Sequence, residues 1–350
     1  MSDRRTRVLL VGNGGFFHIG AFFRRALDKL GYEHQFVDEE GYFKNPGDSF
    51  MRKVLSRLTR FLTYKRFNQA LVKVAISFRP HVLLVVKGAY IHPEVLAEIK
   101  SESKTILVNY ATDDPFNPTS SNRDVAAAIP YYDLYLSTKR SILPDLKRAR
   151  ARKAVWLPFG YEPAIHFPER PNSPEETARW ASDVVFVGGC DRDRVHFFTP
   201  FLNLPDIKLK LYGGYWDRYP ELRPFWQGFA LGRDYRLALG GSKVAVGLVR
   251  QANRDGSVMR TFEIPACGAF LLAERTEEHL DLFEEGKEMV CFSSPEEMVD
   301  KIRYYLKHNE ERQRITEAGY RRVTTGKHTY HDRVVKILKM TDSFRRIENA

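Results

Sequence analysis

The feature that most constrains the fold of this sequence is an apolar segment leading directly into glycines, found near the start of both halves. Residues 7–11 (R-V-L-L-V) are followed by Gly12–Gly15, and residues 183–187 (D-V-V-F-V) by Gly188 and Gly189. Continuous apolar segments are typical of parallel strands covered on both faces. Glycines after such a strand let the backbone approach a ligand, and the N–H groups of the next helix can bind an anion. We therefore predict two similar α/β units and not one long sheet.

Further apolar segments repeat the pattern of a strand followed by a helix. Strands are predicted near residues 32–38, 81–88, 105–110, 134–138, 208–214, 244–248, 269–273 and 290–292. Helices are predicted near residues 93–99, 295–307, 310–323 and 331–347. The polar, proline-rich residues 169–177 (E-R-P-N-S-P-E-E-T) predict a surface loop just inside the second half.

Length and composition fit a globular protein of two domains. The chain has 350 residues, of which 43% are hydrophobic and 28% charged. A net charge of +11 suits an anionic partner: a nucleotide diphosphate, anionic lipid headgroups or nucleic acid. The alternative is a basic surface that only faces solvent, and net charge does not choose among these.

The cysteines and the chain start predict a cytoplasmic protein. Cys190, Cys267 and Cys291 are far apart without metal-like spacing, which favours a reducing compartment. The N-terminal apolar segment is far shorter than a signal peptide requires. No apolar segment approaches the ~20 residues of a membrane-spanning helix.

The stretch from Asp255 to Glu274 contains the most informative candidate functional residues. A turn signal, Asp255-Gly256, precedes apolar residues at a spacing that fits a short helix. Pro265 predicts that this helix kinks or stops nearby. Asp255 and Glu263 stand eight residues apart, about two helical turns, so we expect both carboxylates to reach one cleft.

This stretch resembles the C-terminal half of GT-B glycosyltransferases, whose retaining members carry Glu, seven residues, Glu, then Ala-x-x-x-Gly. Here Asp255 and Glu263 take the two acidic positions, followed by I-P-A-C-G. The segment R-T-F-E-I-P-A-C-G-A-F-L-L is similar to the sequence of CgeB-like spore-maturation glycosyltransferases. The resemblance to that family extends over roughly residues 180–335. The resemblance implies an α/β fold of two facing Rossmann-like domains. Residues 1–163 would bind the acceptor, residues 164–330 the nucleotide sugar, and the helix of residues 331–350 would cross back onto the first domain.

The resemblance also implies roles in donor binding. Glu263 would hold the ribose, and Asp255 would contact sugar hydroxyls with a side chain one methylene shorter than the usual Glu. Where retaining relatives have an Arg and a Lys for the phosphates, this chain has Gly189 and Arg194. Arg260, three residues before Glu263, is the candidate second cation, with Arg250 and Arg254 in reserve. The complete donor-binding prediction is Gly14, Gly15, Gly188, Gly189, Arg194, Gly213, Gly256, Arg260 and Glu263.

The candidate bases are His18 and the pair Asp113-Asp114, which follow predicted strands of the first domain, where open α/β sheets bind ligands. Some inverting GT-B enzymes use a His after the first strand, braced by an Asp. A His has a suitable pKa for this role. A retaining enzyme needs no such base. Helix capping or packing is the alternative role for His18, and the sequence leaves these choices open.

No metal or other cofactor is expected. Asp191-Arg192-Asp193 reads as D-x-D, the metal signature of a different glycosyltransferase fold. Three-residue acidic patterns are common by chance, and the surrounding pattern is GT-B, where metal is usually not needed. A phosphate-binding P-loop is absent from the sequence as well.

A basic helix predicted over residues 50–72 suggests a further partner. Its apolar residues Phe50, Val54, Leu58, Phe61 or Leu62, and Phe67 recur at helical spacing, among the basic residues Arg52, Lys53, Arg57, Arg60, Lys65 and Arg66. Such a helix can lie on an anionic membrane, and an ordinary domain helix with a basic face is the alternative.

The sequence thus predicts a glycosyltransferase that moves a sugar from a UDP-, GDP- or dTDP-sugar to a saccharide, lipid-linked or protein acceptor. A non-catalytic nucleotide-sugar-binding or assembly protein is one alternative, since Gly189 and Asp255 depart from the pattern. A nucleic-acid-modifying transferase is the second, motivated only by net charge, although nucleic acid is not the partner we expect.

Overall fold

The structure is a computed structural model that describes residues 6–43 and 50–348, and the side chains of residues 50–59 and 345–348 lie outside this description. Residue contacts divide the chain into two compact units. The first unit comprises Met1–Pro158, Ala252–Arg254 and Tyr330–Ala350. The second comprises Phe159–Gln251 and Asp255–Thr329.

The first unit is built on six parallel strands in the order β2-β1-β3-β4-β5-β6. The elements are β1 (Val8–Gly12), α1 (Ile19–Leu30), β2 (His34–Asp38), α2 (Phe50–Phe78), β3 (Val82–Val86), α3 (Pro93–Glu102), β4 (Ile106–Ala111), α4 (Arg123–Ala127), β5 (Leu134–Ser137), α5 (Leu143–Arg148) and β6 (Ala154–Trp156). Every residue of β1, β3, β4 and β5 is buried, as their continuous apolar sequences predict.

The second unit has five parallel strands in the order β11-β10-β9-β7-β8. Its elements are α6 (Pro174–Trp180), β7 (Ser182–Val187), α7 (Arg192–Phe198), β8 (Leu209–Tyr212), α8 (Arg233–Gly240), β9 (Ser242–Gly247), α9 (Arg260–Ala266), β10 (Leu271–Glu274), α10 (Glu277–Leu282), β11 (Val290–Phe292), α11 (Pro295–Lys307) and α12 (Asn309–Thr325). Its core is rich in aromatic side chains, among them Phe186, Phe198 and the fully buried Trp216.

The last helix, α13 (Tyr330–Glu348), belongs to the first unit and packs on α1. Tyr330 lies against Phe22, with ring centroids 5.1 Å apart. The buried Arg333 donates from Nε to the carbonyl oxygen of Pro158, at 2.8 Å. Aromatic packing and this hydrogen bond therefore attach the C-terminal helix to the unit that opens the chain.

One local expectation is wrong. The predicted loop at 169–177 contains the start of α6, because the Ser173 hydroxyl accepts from the N–H of Glu176 and Pro174 occupies the first turn. The short helix predicted after Asp255-Gly256 is α9, which begins at Arg260 and carries Glu263 but not Asp255. Asp255 precedes this helix, and its N–H donates to the carbonyl oxygen of Arg250 at 3.2 Å. Over residues 6–43 and 50–348, no helix has both the length and the apolar character needed to cross a membrane.

Candidate functional site

The strand orders indicate where each unit binds ligands. Open parallel sheets bind at the carboxyl ends of their strands, where the strand order reverses direction. In the first unit the order reverses between β1 and β3, and in the second between β7 and β9. The loops after these strands are therefore the candidate binding edges, and we describe them one unit at a time.

Two glycine turns shape the edge of the second unit. Gly213, after β8, has φ +123°, and a Cβ there would lie 2.3 Å from the carbonyl oxygen of Gly188. That oxygen also accepts from Nε1 of Trp216 at 2.9 Å. At Gly189 a Cβ would meet no atom closer than 3.7 Å. A Cβ at Gly188 would lie 2.7 Å from Cζ of Phe186, so packing of the two turns requires glycine at both 188 and 213, whereas the backbone at Gly189 is open to close approach by a ligand.

Guanidinium groups gather at this edge. Arg194 is 9% exposed, and its Nη1 donates to the carbonyl oxygen of Gly189 at 2.6 Å. Arg260 donates from Nε to the carbonyl oxygen of Val187, the last residue of β7. Burial lowers the pKa of Arg194, Asp191 opposes this, and the charges of Arg260 and Arg250 lower it further. Arg194 and Arg260 thus both donate to backbone carbonyl oxygens at this edge, and the charge of Arg250 also acts on Arg194, which is an arrangement that favours binding of an anion.

Glu263, the predicted ribose ligand, is 6% exposed and already has partners. The Tyr235 hydroxyl donates to its Oε2 at 3.2 Å, and Nε2 of His166 lies 3.5 Å from its Oε1. Burial raises the pKa of Tyr235 well above its usual value, so the phenol keeps its proton and donates. Burial also lowers the pKa of His166. No sequence pattern indicated either partner, and the ribose role of Glu263 stays a prediction.

The turn that carries Asp255 and Gly256 is held by α10 and the residue before it. A Cβ at Gly256 would lie 2.4 Å from Cδ of Glu278. The buried Glu278 accepts from the Ser257 hydroxyl at 2.7 Å. The Thr276 hydroxyl donates to the Gly256 carbonyl oxygen at 2.5 Å. These contacts fix the backbone beside the half-buried Asp255, whose contact with sugar hydroxyls stays a prediction.

Asp191 serves α7 as a helix cap. Its Oδ1 accepts from the backbone N–H of Arg194 at 3.0 Å. The D-x-D pattern at Asp191 and Asp193 is therefore accounted for by local structure, at least at its first position. Among the described residues, no group of three or more His, Cys, Asp or Glu side chains could hold a metal ion. That activity needs no metal stays a prediction, to be checked by assay in excess EDTA.

In the first unit, two backbone N–H groups of the glycine loop after β1 donate to side chains of the same unit. The N–H of Gly14 donates to Oδ1 of Asp38 at 2.8 Å, and the N–H of Gly15 donates to Oδ1 of Asn13 at 2.8 Å. The two N–H groups that were expected to meet a donor phosphate therefore have acceptors within the unit. The donor-binding assignment of Gly14 and Gly15 stays a prediction without a free N–H to support it.

His18 lies at the same loop. It is exposed, it directly precedes α1, and its side chain makes no capping hydrogen bond to that helix. The structure thus gives no support to the capping alternative, and an exposed imidazole at the carboxyl edge is compatible with a base.

Asp114 and Asp113 have different surroundings. Asp114 is 3% exposed, and its two oxygens accept from Nε and Nη2 of Arg254 at 2.6 and 3.0 Å. Arg254, a reserve cation for the donor phosphates in our sequence analysis, thus lies in the first unit and pairs with Asp114 and Asp145. Asp113 instead pairs with Lys87, whose Nζ is 2.6 Å from Oδ2. Lys87 was missed because nothing in its sequence context separates it from other basic residues.

The fold is that of the GT-B class of glycosyltransferases, which confirms the predicted fold class. Sucrose-phosphate synthase (tll1590) from Thermosynechococcus elongatus superposes with a TM-score of 0.68 at 12% identity, covering 99% of this chain and 100% of that one. Anabaena Alr3699/HepE in complex with UDP-glucose gives a TM-score of 0.65 at 10% identity, over 97% and 100%. The α,α-trehalose 6-phosphate synthase from Burkholderia multivorans gives 0.63 at 12% identity, over 99% of both chains.

A comparison with protein families matches the C-terminal part of the chain. Residues 192–339 match the family described as Glycosyl transferase-like. No curated protein sequence matches the chain. Fold and domain together define a glycosyltransferase, as predicted, and they do not favour the non-catalytic or nucleic-acid-modifying alternatives.

Proposed function

We propose that this glycosyltransferase uses a UDP-sugar as donor and binds its diphosphate at the carboxyl edge of the second unit. The observation that carries the proposal is that Arg194 and Arg260 donate to the carbonyl oxygens of Gly189 and Val187, beside the open backbone at Gly189, while the charge of Arg250 acts on Arg194. A diphosphate leaving group requires such positive charge. UDP is favoured over GDP and dTDP because the similar HepE structure is a complex with UDP-glucose.

In this proposal Glu263 binds the ribose and Asp255 binds hydroxyls of the transferred sugar. A carboxylate can accept from two hydroxyls at once, which suits both roles. Ribose binding requires Glu263 to exchange the Tyr235 hydroxyl or the His166 ring for a ribose hydroxyl. If the reaction inverts the anomeric centre, His18 removes the acceptor proton. If it retains the configuration, no such base is required.

The acceptor and the location follow from the resemblance to CgeB-like enzymes and from α2. We propose a saccharide, lipid-linked or protein acceptor in polysaccharide biosynthesis, handled in the cytoplasm at an anionic membrane surface. On α2, Phe61 is 75% and Leu62 52% exposed beside the exposed Lys65 and Arg66, which supports membrane contact. Phe67 is fully buried, as the domain-helix alternative requires. The predicted side chains Phe50, Arg52, Lys53, Val54, Arg57 and Leu58 lie outside the described residues.

Titration calorimetry with UDP, GDP and dTDP tests the donor site. Arg260→Ala should weaken UDP binding about 10- to 100-fold, since a hydrogen bond to a charged group contributes about 1.5–3 kcal/mol. Arg260→Lys, which keeps the positive charge, should weaken UDP binding less than Arg260→Ala does. Arg303→Ala, an exposed arginine on α11 of the same unit, is the matched control and should bind UDP like the wild type. Equal affinities of Arg260→Ala and the control would contradict the proposed diphosphate site.

Membrane contact is tested by liposome sedimentation. Binding should require anionic lipid and fall with added salt, since charge attraction is screened over about 10 Å at 0.1 M salt. Equal binding to neutral and anionic liposomes would favour the domain-helix alternative.

A further inference from the structure

Lys87 has an unusual backbone at the point where ligands are expected in the first unit. It directly follows β3, beside the reversal of strand order between β1 and β3. Its φ is +67°, a left-handed conformation uncommon for a residue with a side chain. Such conformations cluster at binding and catalytic sites, where the surrounding structure maintains them.

The Lys87 side chain forms an ion pair that ligands can reach. Nζ lies 2.6 Å from Oδ2 of Asp113, and both side chains are partly exposed. Nδ2 of Asn253 donates to the other Asp113 oxygen at 3.3 Å. The pair thus presents an ammonium that donates next to a carboxylate that accepts. Two adjacent hydroxyl groups of a sugar offer the complementary arrangement.

Buried polar atoms without hydrogen-bond partners surround this pair. The Tyr135 hydroxyl and the Ser121 hydroxyl have no partner among the described residues. Both residues line a cavity of about 10 Å³ together with Lys87 and Asp113. That volume accommodates about one water molecule or one hydroxyl group. Tyr135 is fully enclosed apart from this cavity, with 1% of its surface exposed.

Within residues 6–43 and 50–348, two further buried polar atoms near Lys87 have no hydrogen-bond partner. Oε1 of the buried Glu39 has no partner, and the charge of Lys87 lowers the pKa of this carboxyl against the effect of burial. Oδ1 of the buried Asn109 has no partner either, while its Nδ2 donates to the Lys87 carbonyl oxygen at 3.3 Å. Buried polar groups are normally satisfied, so this concentration around one ion pair indicates a place for a polar ligand.

The charge of the edge restricts the ligand further. Asp38 and Glu40 fold over the glycine loop, because Cβ atoms at Gly14 and Gly15 would lie 2.4 and 3.1 Å from their carboxylate oxygens. With Asp113, these three carboxylates outnumber the ammonium groups of Lys87 and Lys139, the second of which donates to the carbonyl oxygen of Thr112 at 2.8 Å. This edge therefore disfavours phosphates and carboxylates, in contrast to the arginine-rich edge of the second unit.

We propose that Lys87 and Asp113 form an acceptor-binding pair that takes two adjacent hydroxyls of an uncharged saccharide. The proposal rests on the proposed glycosyl transfer and names the acceptor's chemical class. Lys87 determines specificity here by donating to one hydroxyl while Asp113 accepts from its neighbour.

The test measures UDP release from UDP-glucose, with and without added acceptor sugars. The probes are glucose, galactose, mannose and N-acetylglucosamine, each compared with its 6-phosphate. Neutral sugars should accelerate UDP release by the wild type, and the phosphates should not. Lys87→Met should raise the KM for the effective neutral sugar at least tenfold and keep the wild-type Kd for UDP. Lys147→Met, an exposed lysine of the same unit, is the matched control and should keep the wild-type KM.

Acceleration by the 6-phosphates at least equal to that by neutral sugars would overturn the proposal, and so would an unchanged KM in Lys87→Met. A wild-type chain that binds UDP-glucose but responds to no neutral sugar would also overturn it. The phosphate comparison uses only the wild type, so the proposal is tested even if Lys87→Met fails to fold. Absence of UDP and UDP-glucose binding by the wild type would instead contradict the proposed donor, and calorimetry separates the two failures.

Discussion

Glu39→Gln should stabilise the first unit increasingly as pH rises. Glu39 is 6% exposed, and burial raises the pKa of its carboxyl from the ordinary 4.5 to about 8. Lys87 lowers this pKa and Asp38 raises it, each by less than burial does. The folded chain therefore holds a proton that the unfolded chain releases, and Gln resembles the protonated acid without titrating.

The size and sign follow from linkage. A pKa difference of about 3.5 at about 1.4 kcal/mol per pH unit gives a destabilisation of about 5 kcal/mol once Glu39 is ionised in both states. Stability conferred by the raised pKa is complete below about pH 4.5 and is lost as pH rises to about 8. Between pH 5 and pH 9, the wild type should lose about 4 kcal/mol relative to Glu39→Gln.

Urea unfolding at pH 5, 7 and 9, followed by circular dichroism, measures this difference. If the two units unfold in separate transitions, only the transition of the first unit should respond. Glu40→Gln is the matched control, because Glu40 is adjacent and exposed, and its free energy of unfolding should parallel that of the wild type. Parallel curves for wild type and Glu39→Gln would refute the assigned burial and protonation of this carboxyl.

Three further predictions concern single positions. Gly213→Ala should destabilise the second unit by at least about 2 kcal/mol in a thermal melt, because of its φ and its close contact, whereas Gly189→Ala should change the melt little. Arg254→Ala should cost the first unit about 3 kcal/mol in urea unfolding by leaving the buried Asp114 carboxylate without its cation, and a loss below 0.5 kcal/mol would argue against the pairing. His18→Ala should abolish transfer with UDP affinity intact if His18 is the base, and wild-type turnover in a stable variant would favour the retaining route.

The fold was predictable because its buried parallel strands have continuous apolar sequences, several of which are followed by glycine. Pro295–Lys307 was predicted to the residue, since proline at the first turn marks where such a helix begins. The start of α6 was missed because Ser173 caps a helix inside a segment whose composition resembles a loop. A capping side chain can therefore start a helix in a segment whose composition predicts a loop.

The site was less predictable, because its residues are assembled by tertiary contacts. Arg194 and Arg260 could be proposed from their positions in a resembling motif, and the structure gathers both at one edge. Nothing in the sequence connects Glu263 with Tyr235, which is 28 residues away. Lys87 follows the buried strand β3 and Glu39 follows β2, yet the ion pair of Lys87 with Asp113 and the burial of Glu39 depend on residues distant in sequence.

The short segment Ala252–Arg254 has a consequence for how this enzyme can be recombined. It is connected in sequence to the second unit at both ends, but it belongs to the first. There Asn253 accepts the N–H of Asp114 at 2.9 Å, and the Ser141 hydroxyl donates to the carbonyl oxygen of Arg254 at 2.9 Å. A chimera that takes its second half from another glycosyltransferase would replace these three residues and leave Asp114 facing a foreign sequence. Such an exchange must therefore transplant this tripeptide together with the amino-terminal half.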